Sequence, residues 1–121
     1  MSVTVDIPYD RVREATKGIE DYVQKIYEGR RYQIAEAFID VVTPFVPVKH
    51  GYLRESATIV DSGHSVQWSA INPKTGYDYA GMQYETTWFE HPRGGYAEWD
   101  DIAMKYEGDT FIERVKDILE R

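Results

Sequence analysis

Pro44 and Pro47, three residues apart in Thr-Pro-Phe-Val-Pro-Val, constrain this chain more than any other feature. Proline has no amide proton and its ring clashes with the preceding turn, so neither residue suits a helix interior. They stop the helical pattern that runs up to Val42. His50-Gly51 then offers a turn, because Gly51 takes a positive φ at little cost. Leu53, Ala57 and Ile59 read as the opening of a β-type run. A helix is ended, the chain is redirected and a sheet begins, all between residues 43 and 59.

Upstream, Val3, Val5 and Ile7 alternate with Ser2, Thr4 and Asp6, the period of a half-buried strand that Pro8 closes. From Tyr9 to Val42 the period is helical, through Val12, Ala15, Ile19, Ile26, Ile34 or Ala35, Phe38 and Val42. Gly18 and Gly29 each cost ~1 kcal/mol relative to alanine in a helix. The reading is either two helices meeting near Gly29-Arg30-Arg31 or one bent there, and one long bent helix is expected.

Downstream, Ser56–Val60 and Ser65–Ile71 read as antiparallel strands around the loop Asp61-Ser62-Gly63-His64, with Gly63 supplying a left-handed position. Val66, Trp68 and Ala70 should share one face. Tyr77–Glu85 fits a short helix or an edge strand, and Thr86–Phe89 a short strand. A final helix from about Ala97 to Glu120 carries Trp99, Ile102, Ala103, Tyr106, Thr110, Phe111, Val115, Ile118 and Leu119, with a possible interruption at Gly108-Asp109. Asp100 and Asp101 suit its positive N-terminal end. The fold class expected is α+β: one domain over residues 1–121, with a small antiparallel sheet packed against a long N-terminal helix and a C-terminal helix.

Charge is uneven. Residues 1–60 carry 8 basic and 9 acidic residues, and residues 61–121 carry 6 and 12, within a total of −7. That balance argues against tight binding to a phosphate backbone, which needs clustered Lys and Arg. It permits an acidic wall along which DNA slides. With no cysteine, disulfides and thiolate chemistry are excluded. No apolar stretch approaches the ~20 residues of a membrane span. The opening Met-Ser-Val-Thr-Val-Asp lacks the regions of a signal peptide, so a soluble cytoplasmic chain is expected.

Catalytic and metal chemistry find little support. His50, His64 and His91 lie in loops without zinc-ligand spacing. No serine stands on a nucleophile elbow and no glycine-rich phosphate loop is present. The carboxylates at 85–101 follow from acidic composition. No enzyme, cofactor or metal is expected.

Aromatic content is more informative. Tyr77, Tyr79, Tyr84, Trp88, Phe89, Tyr96 and Trp99 fall within 23 residues. Half of them suffice for a core under the last helix, and the remainder suit a protein contact, where Tyr and Trp are enriched. Tyr77, Trp88 and Tyr96, in loops flanked by Gly, Thr or Pro, are the interface candidates, with Glu90 and His91 beside them and Arg54 in the proline-bounded stretch.

Pro47, Gly51, Leu53, Arg54 and Ser56 resemble the signature of tailed-bacteriophage connector proteins, small neck or tail-completion subunits often labelled minor capsid proteins. Where that family usually has an acidic residue and a threonine before the glycine, this chain has Lys49-His50. Tyr79-Ala80-x-x-Gln83-Tyr84-Glu85, a glycine-bearing loop and Trp99 opening a terminal helix are similar to the family's later half, so the resemblance spans residues 38–121. It implies a virion subunit at the head–tail junction that forms a ring, typically of six copies, against neighbouring neck and tail proteins, with a channel for DNA. It also implies that Arg54 stands at the start of the first sheet strand of that region, in an inter-subunit or loop-tethering ion pair. Without the resemblance, the acidic C-terminal half would suggest a small protein-binding module that mimics nucleic acid.

Overall fold

The computed structural model describes residues 3–9, 12–13, 28–47, 52–69, 79–85 and 95–120. Strand β1, Val3–Asp6, buries Val3 and Val5 and exposes Thr4 and Asp6. Its alternation is the one expected of a strand covered on one face. Beyond it the Ile7 amide donates to the His64 carbonyl at 2.9 Å, and Tyr9 turns inward. Val12 and Arg13 are again helical.

Helix α1 spans Arg31–Val42. Arg30 stands at its N-cap at φ −117°, ψ 14°, without a side-chain capping bond to the helix, and is itself a turn. The expected continuous bent helix is therefore corrected: a new helix begins at Arg31. The cause is local, since Gly29 beside the turn leaves the helix more cheaply than any other residue bar proline. Residues 14–27 lie outside the described residues. Along α1, Ile34, Ala35, Ala37, Phe38, Val41 and Val42 are buried.

The prolines act as expected. Thr43 donates its hydroxyl to the Ile39 carbonyl at 2.6 Å, and Thr43–Phe45 tighten into a 3₁₀ turn with Pro44 near its start. Val46 is extended (φ −77°, ψ 132°), as a residue preceding proline should be. The His50-Gly51 turn lies outside the described residues.

The β-type run expected from Leu53 is instead a single helical turn, α2, Tyr52–Glu55, with Leu53 in the core. Strand β2 is only Thr58–Val60, and β3 is Ser65–Trp68. Residues 70 and 71 lie outside the described residues. The sheet order is β1-β3-β2, with both pairings antiparallel. Val3 lies opposite Trp68, and Val5 and Ile59 both lie opposite Val66, so apolar cross-strand pairs share the inner face. In the β2–β3 connection Asp61 (φ 52°), Ser62 (φ 53°) and Gly63 (φ 92°) are all left-handed. Only the glycine was expected there.

Tyr79–Glu85 resolves as helix α3, and helix α4 covers Trp99–Glu120. Trp99, Ala103, Phe111, Val115, Ile118 and Leu119 form its buried stripe. Tyr106 and Thr110 are exposed, contrary to expectation, because Glu107 departs from helical dihedrals (φ −127°, ψ 17°) and shifts the phase beside Gly108. Helices α1 and α4 pack together, with Phe38 edge-on to Phe111 at 5.5 Å. Asp40 and Arg114 meet at 3.1 Å across their outer edge, an exposed pair worth ~0–1 kcal/mol.

Candidate partner interface

The segment from Pro44 to Pro47 is held at three consecutive carbonyls. Arg54 Nη2 donates to Pro44 at 3.1 Å, the Tyr96 amide to Phe45 at 2.8 Å, and Arg54 Nε to Val46 at 2.8 Å. One guanidinium fork thus spans two acceptors, and a chain segment fifty residues downstream takes the one between them. A charged donor makes these bonds stronger than neutral ones. Arg54 stands on α2, not at the start of a strand, and among the described residues it is held by backbone carbonyls. Ser56 extends the motif: its hydroxyl donates to the Leu53 carbonyl at 2.8 Å and accepts the Ser69 amide at 3.1 Å, tying α2 to the end of β3.

Gly95 lets the two segments touch. At φ +101°, its missing Cβ would lie 2.5 Å from the Pro47 nitrogen and 2.8 Å from the Val46 carbonyl carbon. Only glycine fits, for both reasons. Tyr96 then places its ring 5.9 Å from Phe45, and Tyr96 remains half exposed at 49%. The result is an outward aromatic pair on a fixed base.

A second fastening closes the other end of the 86–94 segment. The Tyr84 hydroxyl donates to Asp100 Oδ1 at 2.6 Å, and the Glu98 amide donates to the Tyr84 carbonyl at 2.9 Å. Trp99 lies edge-on to both Tyr84, at 4.8 Å, and Trp68, at 5.6 Å. Burial raises the Tyr84 hydroxyl's pKa above its ordinary value, and the Asp100 bond and the charges of Asp100, Asp101 and Glu98 raise it further. Burial also raises Asp100, with the Tyr84 bond pulling the other way. A tyrosine kept protonated is a hydrogen-bond donor, and this pair fastens α3 to α4.

Among the sequence-derived site residues, the structure brings Arg54 and Tyr96 together on one elbow, Arg54 as a brace and Tyr96 as an exposed ring. Tyr77, Trp88, Glu90 and His91 lie outside the described residues. Sequence reasoning missed Phe45 and Gly95, although Phe45 between two prolines and the Gly94-Gly95 pair were visible signals. It also missed Tyr32 and Tyr106, exposed at 58% and 64%. Among the described residues, no group of three or more His, Asp or Glu is placed to hold a metal, and no helix is long and apolar enough to cross a membrane.

A family model described as minor capsid protein matches residues 10–116. No curated protein and no solved structure matches the chain. The family match takes in α1, the proline elbow, the sheet's β2 and β3, and most of α4, so it covers the architecture as well as the local motifs. The chain belongs to the minor capsid protein family, structural proteins of the phage virion.

Proposed function

We propose that this chain is a non-catalytic subunit of the head–tail junction, a neck or tail-completion protein that joins the head connector to the tail. It assembles as a ring of copies, six in the full junction, and contacts neighbouring neck and tail proteins while DNA passes through the channel. The observation that carries this reading is the braced aromatic elbow. Phe45 and Tyr96 form an apolar contact whose backbone is already ordered by Arg54 and Gly95, so docking costs little conformational entropy. Arg54 and Tyr96 serve this contact, and Tyr77, Trp88, Glu90 and His91 are further partner-facing residues in this reading. The acidic net charge suits a wall that DNA passes without sticking.

The test is deletion of the reading frame from the phage, with virions viewed by electron microscopy. Filled heads and free tails that fail to join, rescued by the intact gene, are expected. Normal virions from the deletion would overturn the role. Trp88→Glu should reproduce the joining defect while leaving the isolated chain folded by circular dichroism. An unfolded Trp88→Glu chain would remove Trp88 from the contact and place it in the core.

A further inference from the structure

The two edges of the sheet are not equivalent. The Ile7 amide donates to the His64 carbonyl at 2.9 Å, and the alternation of an antiparallel ladder then fixes which backbone groups of β1 face β3. Val3 and Val5 turn their N–H and C=O toward Trp68 and Val66. Thr4 and Asp6 turn theirs away from the sheet, and both residues are exposed. Among the described residues nothing hydrogen-bonds to these outward backbone groups. On β3 the same alternation leaves Ser65 and Gln67 facing β2, so Val60 and Thr58 are engaged in the ladder and only Ile59 turns outward. Beyond Val60 the strand stops, because Asp61 is left-handed (φ 52°). The β1 edge is therefore the one that offers a row of free donors and acceptors.

Side chains decide the occupant. A strand added to β1 must match its alternation, with apolar residues beside Val3 and Val5 and polar residues beside Thr4 and Asp6. The β1 segment of a second copy does so. With two copies antiparallel and Val5 opposite Val5, Thr4 of each lies opposite Asp6 of the other, and each such pair exchanges both its N–H···O bonds. Val3 of each meets Ile7 of the other on the apolar face, and a threonine hydroxyl meets a carboxylate on the exposed face. Centring the pair on Asp6 would set the two carboxylates directly opposite, which is unfavourable. Centring it on Thr4 would leave the outward groups of Asp6 without a partner in the strand. The Val5 register uses every outward group of β1.

The neighbouring helix permits this approach. Tyr84 on α3 reaches Trp68 through Trp99, and Trp68 pairs with Val3, so α3 sits toward the Val3 end of β1. In an antiparallel pair the two α3 helices lie at opposite ends of the joined strands.

We infer that β1 of one copy pairs antiparallel with β1 of a second about a two-fold axis at Val5, joining two three-stranded sheets into one continuous sheet. The contact is isologous and closed, so it stops at two copies. A ring whose subunits all face the same way contains no such axis. The dimer is thus a form of the unassembled chain, one that covers the open edge until the copies are drawn into a larger structure, and it goes beyond the junction role without depending on it.

The experiment measures the mass of the purified chain by light scattering across protein concentration. A monomer–dimer equilibrium with no larger species is expected. Thr4→Pro removes an amide that the ladder to β3 does not use, so the chain should keep its circular dichroism spectrum. Its dimer should weaken roughly tenfold or more, because the axis doubles the lost bond. Cross-linking reads the register. The chain has no cysteine, so an oxidised mixture of Thr4→Cys and Asp6→Cys should yield a disulfide-linked dimer. Thr4→Cys alone should not, since its Cα atoms would lie beyond the ~7 Å that a disulfide spans. A chain monomeric at every concentration overturns the pairing, as does a dimer that a folded Thr4→Pro chain leaves unchanged. A mixture that links no faster than Thr4→Cys alone overturns it too, and that comparison decides by itself if Thr4→Pro unfolds.

Discussion

Arg54 Nε lies 2.8 Å from the carbonyl oxygen of Val46, eight residues earlier, on the far side of Pro47. The side chain fastens the chain to its own recent past. Replacing it with alanine leaves the Val46 and Pro44 carbonyls without their charged donor. Arg54 is half-buried, so solvent recovers part of the loss, and Arg54→Ala should cost about 1–2 kcal/mol. Arg54→Lys should recover little, since a single ammonium does not reproduce a planar fork over two acceptors. Urea unfolding of the three proteins checks both statements.

Two glycines separate close approach from mere presence. Gly95→Ala meets the Pro47 and Val46 backbone at a positive φ and should lose more than ~3 kcal/mol, or fail to fold. Gly29→Ala meets nothing within 4 Å in a helical stretch and should be neutral or gain up to ~1 kcal/mol. Thermal melts should fall for Gly95→Ala and hold or rise for Gly29→Ala, and a harmless Gly95→Ala would refute the backbone contact.

Asp100 predicts a pH dependence of defined sign. Its folded-state pKa is raised, by burial first, above the ordinary 3.8. The folded chain therefore holds this proton more tightly than the unfolded chain. The associated stability is complete below 3.8 and is lost as pH rises through the folded value. Asp100→Asn, which still accepts from Tyr84, should be at least as stable as the parent at neutral pH and lose that advantage in acid. Paired denaturant titrations at the two pH values measure it; an Asn variant weaker at neutral pH and not in acid would reverse the sign.

Tyr9 acts in alkali by the same rule. Burial pushes its hydroxyl from 10.0 to about 12, against the opposing charge of Arg31. Its contribution is intact below pH 10 and declines as pH rises to about 12. Tyr9→Phe should cost about 1 kcal/mol at neutral pH through the lost bond to Gly63. It should also flatten the loss of stability above pH 10. An alkaline unfolding profile identical to the parent's would show that Tyr9 is not the group responsible.

Much of the fold was legible because its signals are periodic. Val3 and Val5 alternate with polar residues, and Trp99, Ala103, Phe111, Val115 and Ile118 recur at helical spacing, so β1 and α4 were readable from side chains alone. Ile59 was read correctly as strand, but Leu53 was misread as its opening, because its spacing of four to Ala57 fits a helix too and its burial in the core goes with a helical turn. Tyr106 followed the helical stripe in sequence, but the distortion at Glu107 turns it to solvent. The site was less legible for a different reason. Arg54 binds carbonyls, and a carbonyl has no residue identity, so no motif discloses that Pro44 and Val46 are its acceptors. The Tyr84–Asp100 bond depends on two helices meeting, which spacing along the chain does not encode.

The paired fastenings around residues 86–94 bear on how this family can diverge. Glu98 bonds to Tyr84 on one side, and Gly95 and Tyr96 are pinned to the Pro47 and Phe45 backbone on the other. The nine residues between run from one anchored point to another, so lengthening them moves neither anchor. Where a connection between fixed points is a flexible loop, each doubling of its length costs only about 0.6 kcal/mol. Related subunits can therefore grow or shrink this segment to suit a different neighbour while α3, α4 and the elbow keep their places. Sequence drift should accumulate as length variation between residues 85 and 95 and stop abruptly at the glycine.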